Sequence, residues 1–288
     1  LRAIEYLEQN FRLDFRFDYS VAQVLKAHGK EDLAKPYEAR AMEGMAKMNR
    51  WDYPRTFGAY TSALGDYALS QDKPVQAAEV YAHAFGKPDS RYFDYVSFVD
   101  KVPAEARNEV VQSWGFDPED FSEGFISALE RGQGLEDDYK AYWTFKAAQI
   151  LDQNGMLGEA WPLYEYSIDH GDSLGRSAQR LFKFHVSDGD HLEAAKIYLR
   201  TVGQPTTPYR NYVDLFEALP EEDWKRVVKL EEFDARKYVQ GLTDALNRDP
   251  ELNANEKNFW SERIGKMLEG LGFEREGQEL RKAFQPEG

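Results

Sequence analysis

The sequence predicts an all-α protein built as a solenoid of paired antiparallel helices. Three observations support this fold class. Small and aromatic residues recur at a spacing of 34 residues, a period typical of helical hairpins. A longer stretch repeats at a spacing of about 117 residues, which predicts an internal tandem duplication. No segment shows a sustained alternation of apolar and polar residues between turn residues, so no β-strand is predicted.

The spacing of 34 residues is clearest between residues 141 and 205. Three residues recur there: Gly155, Ala160 and Tyr164 are followed after 34 positions by Gly189, Ala194 and Tyr198. Pro205 closes the second copy. This pattern resembles the tetratricopeptide repeat (TPR) family, with Tyr in the place of the family's Phe. The resemblance covers about half of the chain and implies a right-handed α-α superhelix.

Two further hairpins are predicted earlier in the chain. Ala77 follows Gly65 by twelve residues, as the TPR pattern requires, and Pro88 ends this hairpin. Gly29 separates two amphipathic segments near the start of the sequence, which is typical of a left-handed C-terminal helix cap. Residues 49–54 lie between these two hairpins and have the composition of a linker.

The longer repeat relates residues 55–171 to residues 172–288 without a gap, and roughly a quarter of the aligned positions are identical. The identical pairs include Tyr81 with Tyr198, Pro88 with Pro205, Gly124 with Gly241, Trp143 with Trp260 and Gly155 with Gly272. We therefore predict three segments: a helical hairpin over 1–54, a first TPR-containing unit over 55–171 and a second over 172–288. The charged stretch 274–282 is expected to be an outer capping helix.

Composition narrows the classes of partner. The formal net charge is −15 at pH 7, which argues against nucleic acid or anionic lipid as the main ligand. No apolar run approaches the roughly 18 residues that cross a bilayer, so direct membrane insertion is not expected. The absence of cysteine excludes disulfides and thiolate chemistry; it fits the cytoplasm and leans slightly toward the periplasm. Because the sequence begins at Leu1 within an amphipathic segment, we expect a processed protein or a piece of a longer one.

The sequence carries no recognisable catalytic signature, and we predict neither enzymatic activity nor a cofactor. The five histidines lack the spacing of metal ligands. The stretch 187–191 (Ser-Asp-Gly-Asp-His) superficially resembles a cation loop, but it lies at a hairpin turn and lacks the later glutamate of an EF-hand. The acidic runs 136–138 and 221–223 are interpreted as helix starts, where negative charge favours the helix dipole. An enzyme of α-helical toroid architecture remains an alternative, which the strict spacing of 34 residues disfavours.

The TPR resemblance implies a concave groove that is lined by the first helix of each hairpin and receives an extended peptide or a partner helix. Counting along these helices gives the candidate binding residues Asp66, Tyr142, Phe145, Gln149, Asp152, Arg176, Gln179, Lys183, Phe259 and Lys266. The same face includes Ala59, Ser62, Leu69, Glu262 and Glu269. Chaperone-binding members of the family clamp a C-terminal carboxylate with Lys and Asn. Phe145 and Gln149 hold the corresponding places here, so that mode of binding is not expected.

Two functional hypotheses follow. The first is a non-enzymatic scaffold that holds a protein partner in the concave face. The alternative is a periplasmic module of a bacterial polysaccharide export or envelope assembly system, which would bind a glycan or a partner enzyme. Trp143 and Trp260 occupy equivalent places and bear on this choice, because each could pack between repeats or form a platform for a peptide or a sugar ring.

Overall fold

The computed structural model describes residues 15–46, 58–171 and 175–285. These residues form sixteen α-helices and contain no β-strand, so the predicted all-α class is confirmed. The predicted linker at 49–54 and the first residues of the predicted second repeat unit, 172–174, lie outside the described residues.

The helices are, in chain order, α1 (Phe15–Ala27), α2 (Glu31–Ala46), α3 (Gly58–Ser70), α4 (Pro74–Ala82), α5 (Tyr92–Lys101), α6 (Ala104–Val111), α7 (Pro118–Arg131), α8 (Asp137–Gln153), α9 (Leu157–Asp169), α10 (Arg176–Asp188), α11 (His191–Thr201), α12 (Tyr209–Glu217), α13 (Glu221–Val227), α14 (Ala235–Arg248), α15 (Ala254–Gly270) and α16 (Glu274–Lys282). Sequence neighbours pack on one another in the pairs α1–α2, α3–α4, α10–α11 and α15–α16. This pairing fits a helical repeat.

Contacts between helices divide the described residues into two units. The first contains the residues up to Gly134 together with Lys146–Ala160. The second contains Leu135–Phe145 and the residues from Trp161 onward. These units follow contacts, whereas the predicted boundaries after residues 54 and 171 follow the sequence repeat, so the two divisions differ.

In the first unit, a glycine makes room for a buried tyrosine in the α3–α4 pair. Tyr81 is fully buried, and a Cβ placed on Gly65 would lie only 2.3 Å from its ring. The Tyr81 hydroxyl donates a hydrogen bond of 2.9 Å to the carboxylate of Asp66. The Leu-Gly element of the repeat pattern therefore has a physical reason, since any larger residue at position 65 would collide with the ring.

A second buried tyrosine organises helices α5 and α7 of the first unit. The ring of Tyr95 stacks between Phe85 and Phe125, with centroid distances of 4.5 and 4.9 Å. Its hydroxyl accepts a hydrogen bond of 2.9 Å from the backbone N–H of Gly86, and Gly124 packs against the same oxygen. Burial raises the pKa of Tyr95 to about 12, so this phenol stays protonated at neutral pH.

The turn before α5 is tied to the end of α7. The guanidinium of Arg131 donates a hydrogen bond of 2.9 Å to the carbonyl of Ser90, whose hydroxyl donates to the carbonyl of Ala84. Because Ser90 is almost fully buried, these bonds satisfy polar groups that would otherwise be costly to bury.

The second unit contains the same polar network 117 residues later. The backbone N–H of Gly203 donates to the hydroxyl of Tyr212 at 2.9 Å, and Gly241 packs against this hydroxyl. Arg248 donates to the carbonyl of Thr207 at 2.6 Å. Helices α7 and α14 begin and end 117 residues apart, and so do α8 and α15. The spacing seen in the sequence is therefore also a spacing of helices and of individual hydrogen bonds.

The last pair of helices in the second unit packs backbone against backbone. A Cβ placed on Gly265 of α15 would lie 2.8 Å from the carbonyl oxygen of Gly277 in α16. A Cβ on Gly277 would lie 2.5 Å from the carbonyl oxygen of Gly265. Helix α16 corresponds to the charged segment predicted at 274–282, and Leu280 is its one fully buried apolar side chain.

Replacement of Gly241 by alanine should destabilise the protein by about 1–3 kcal/mol, because the added Cβ would lie 2.4 Å from the Tyr212 hydroxyl oxygen. Gly124→Ala should have a similar effect, since its Cβ would lie 2.3 Å from the Tyr95 hydroxyl oxygen. Urea unfolding followed by circular dichroism measures both effects.

Gly158→Ala is the matched control for these substitutions. Gly158 lies in helix α9 with no neighbouring atom within 4 Å of its added Cβ. Alanine there should be neutral or stabilise the helix by up to about 1 kcal/mol. If all three variants unfolded at the wild-type urea concentration, close packing at the tyrosine hydroxyls would not be the reason for glycine.

Candidate functional site

The predicted binding residues lie on four helices. Asp66 is on α3; Tyr142, Phe145, Gln149 and Asp152 are on α8; Arg176, Gln179 and Lys183 are on α10; Phe259 and Lys266 are on α15. Asp66, Gln149 and Asp152 belong to the first unit, and the other seven belong to the second. The structure therefore groups most of the predicted site in the second unit. The side chain of Ala59, on the same predicted face, lies outside what the structure describes.

In the first unit, Asp66 takes part in packing between helices. Its carboxylate accepts the hydrogen bond of Tyr81 and forms an ion pair with Lys101 of α5, with an N–O distance of 2.7 Å. Gln149 and Asp152 are partly exposed. Asp66 is thus held by two partners within its own unit, which leaves it a smaller share in any external contact.

In the second unit, Phe145 lies beneath the surface. Its side chain is only 6% exposed, and its ring centroid lies 6.2 Å from that of Tyr164. The guanidinium of Arg176 lies 5.9 Å from the Phe145 ring, within the range of a cation–π contact. Lys183 is exposed and Gln179 is partly exposed. Phe145 therefore supports Arg176 from below.

Helix α15 carries an open depression of about 420 Å³. It is lined by Asn255, Asn258, Phe259, Glu262, Arg263 and Lys266. The structure thus brings the predicted residues Phe259 and Lys266 together, with Glu262 of the same predicted face between them. Asn255 and Arg263 were not predicted, although a helical spacing of four residues on either side of Phe259 would have identified them.

Phe259 is the exposed apolar residue at this depression. Its side chain is 52% exposed, and its ring meets the edge of Trp260 at a centroid distance of 5.0 Å. The equivalent residue 117 positions earlier is Tyr142, which is 40% exposed and meets Trp143 at the same centroid distance. The same exposed aromatic pair thus recurs on two first helices.

The charged side chains around Phe259 are held by one another. Glu262 accepts a hydrogen bond of 3.1 Å from Arg281 and forms an ion pair with Lys266 at 3.2 Å. Arg263 forms a bidentate pair with Glu217 of α12. The hydrogen bonds from Arg281 and Lys266 lower the pKa of Glu262 below its ordinary value. The aromatic ring is therefore surrounded by an ordered polar rim.

Comparison with α8 explains why the surface at α15 is polar. Glu262 and Arg281 stand 117 residues after Phe145 and Tyr164, so an ion pair replaces a pair of packed rings. Phe145 is buried, whereas Glu262 and Arg281 each retain 27% exposure of their side chains. The same helical hairpin thus presents an apolar contact in one place and a solvated face in the other.

The turn at 187–191 forms helix ends. Gly189 adopts a left-handed conformation with φ of 80° and ends α10, and His191 begins α11. His191 Nδ1 lies 2.7 Å from a carboxylate oxygen of Asp223 in α13. In the described part of the chain, no group of three or more His, Asp or Glu side chains is placed to hold a metal ion.

No helix within the described ranges has the length and apolar character needed to cross a membrane. No protein-family model matches this sequence, and comparison with the curated proteins finds no similar sequence. The likeness to the TPR family accordingly rests on the residue spacing and on the pairing of helices.

Glu262→Gln should make the protein less stable than the wild type at neutral pH, because it removes the charge that holds Arg281 and Lys266. The contribution of a carboxylate with a lowered pKa is complete above the ordinary glutamate pKa of 4.5 and is lost as pH falls through the folded-state pKa. Thermal unfolding curves of the two proteins should therefore converge below pH 4.5.

Glu251→Gln provides the control, since it makes the same charge change at an exposed carboxylate without an ion pair in the described residues. It should leave the unfolding temperature close to that of the wild type at every pH. A difference between wild type and E262Q that stayed constant down to low pH would contradict the ion pair as its source.

Proposed function

We propose that this chain is a non-enzymatic scaffold that binds a protein partner through the first-helix face of its second unit. The observation that carries the proposal is Phe259, an exposed aromatic ring at the edge of a depression with ion-paired neighbours. Protein interfaces concentrate their binding energy in such aromatic anchors, surrounded by polar contacts that exclude water. A partner helix or an extended peptide could place an apolar side chain against this ring.

The repeated architecture supports this proposal. We infer a TPR-like right-handed superhelix with a tandem duplication of about 117 residues. The recurrence of helix bounds and of the tyrosine, glycine and arginine hydrogen bonds at this spacing supports the duplication. Repeats of this kind form extended surfaces for partners, since each hairpin adds a further helix face.

The charges give the partner its chemistry. Exposed cations lie on two first helices of the second unit, with Arg176 and Lys183 on α10 and Lys266 on α15. Together with Tyr142 and Phe259, they favour a segment that combines apolar and acidic side chains. The net charge of −15 disfavours nucleic acid as a competing ligand.

Phe259→Ala should weaken retention of the protein partner by at least about tenfold, as expected when an aromatic hot spot is truncated. Immobilised wild type and variant are each incubated with an extract of the source organism, and the retained proteins are compared by quantitative mass spectrometry. Because Phe259 is half exposed, the variant should keep the thermal stability of the wild type.

Phe93→Ala is the matched control, because Phe93 is 51% exposed but lies on α5 of the first unit. It should retain the same partner as the wild type. The proposal fails if the wild type retains no specific protein, or if both phenylalanine variants lose the same protein equally.

A second candidate function is glycan binding, favoured by the two exposed aromatic pairs, Tyr142 with Trp143 and Phe259 with Trp260. An oligosaccharide that stacks on these rings should change the tryptophan fluorescence. Trp143→Ala should reduce this change if the first pair contributes. A panel of neutral and acidic oligosaccharides that leaves the fluorescence unaltered would exclude this candidate.

A further inference from the structure

A second open depression, of about 480 Å³, lies in the second unit between helix α14 and the turn that follows α11. It is lined by Gly203, Gln204, Pro205, Lys237, Gln240, Gly241, Asp244 and Arg248. Its volume lies within the range of about 300–1,000 Å³ that small-molecule sites occupy. The lining is polar and differs in chemistry from the surroundings of Phe259.

Two cations line this depression in a chain that is acidic overall. The Lys237 side chain crosses the backbone of Gly203, where an added Cβ would lie 2.7 Å from Lys237 Cε. Within the part of the chain that the structure describes, Lys237 forms no ion pair. Arg248 donates one N–H to the carbonyl of Thr207, and a guanidinium has further N–H groups to offer. Lys237 and Arg248 can therefore share an anionic group.

Hydrogen-bond acceptors stand in the same walls. The amide of Gln204 donates to the carbonyls of Arg200 and Ile168, at 3.3 and 3.4 Å, but its oxygen is buried without a partner among the described residues. Leaving a buried acceptor unsatisfied is costly, so a donor at this position is favourable. Asp244 adds a carboxylate, which accepts a hydrogen bond of 3.0 Å from Gln240. A fitting ligand thus carries hydroxyl groups beside its negative charge.

The equivalent place in the first unit has the opposite chemistry. Asp120 and Glu123 stand there, 117 residues before Lys237 and Gln240. Asp120 lies against Gly86 as Lys237 lies against Gly203, since a Cβ added to Gly86 would meet the Asp120 carboxyl carbon at 2.5 Å. The backbone arrangement is shared, and the side chains reverse the charge. An anion should therefore bind to the second unit and be repelled by the first.

We propose that the depression between α14 and Gly203 binds a small hydroxy-carboxylate, such as a sugar acid. The carboxylate lies between Lys237 and Arg248, and the hydroxyl groups donate to Gln204 and Asp244. Binding is non-covalent, at one site per chain, and it does not require a protein partner at Phe259.

Isothermal titration calorimetry of the full chain with glucuronate, galacturonate and gluconate tests this site. At least one of the three should bind with a stoichiometry of one, and its affinity should fall as salt is added. Lys237→Gln should weaken binding by about tenfold or more, as expected for the loss of a charge-assisted contact. Lys225→Gln, an exposed lysine of α13 outside the depression, should leave the affinity unchanged.

Two further probes separate charge from hydroxyl recognition. Glucose has the hydroxyl groups without the charge, and inorganic phosphate has the charge without the carbon-bound hydroxyl groups; both should bind at least tenfold more weakly. The site is ruled out if none of the three hydroxy-carboxylates binds, or if Lys237→Gln binds them as the wild type does. Equal affinity for glucose or phosphate would overturn the assignment of the ligand class.

Discussion

The close approach of a glycine to a buried tyrosine is the constraint on which the packing of these helices depends. It occurs at Gly65 with Tyr81 and again at Gly124 with Tyr95, where no side chain larger than hydrogen fits. A tyrosine so deeply buried needs a partner for its hydroxyl. Tyr95 finds it in the N–H of the preceding turn, so that one ring fixes both the distance between helices and the position of the turn.

The two units show how a repeated backbone can present different surfaces. Phe145 and Tyr164 pack as rings, whereas Glu262 and Arg281 form an ion pair at equivalent positions. None of these side chains takes part in the glycine and tyrosine packing, so they are free to change without altering the fold. Binding chemistry can therefore vary between copies while the scaffold stays the same, which is the usual relation between a fold and its sites.

The candidate site was predictable only in part. The helical spacing correctly placed Phe259 and Lys266 on one face of α15, because residues three and four apart lie on the same side of a helix. The same counting placed Phe145 on the binding face, yet its side chain is buried. The depression that contains Lys237 had no signal in the sequence, since it combines a turn and a helix more than thirty residues apart.

The sequence by itself determined the local structure of this protein. Apolar residues at helical spacing define the helices, and glycines such as Gly29 and Gly189, with φ near 70–80°, define the turns between them. These features depend on neighbours within a few residues along the chain. Only the tertiary structure decided which side chains are exposed and which charges meet, as between Arg263 and Glu217. Exposure and ion pairing depend on helices that are distant in sequence, and the period of a single helix carries no information about them.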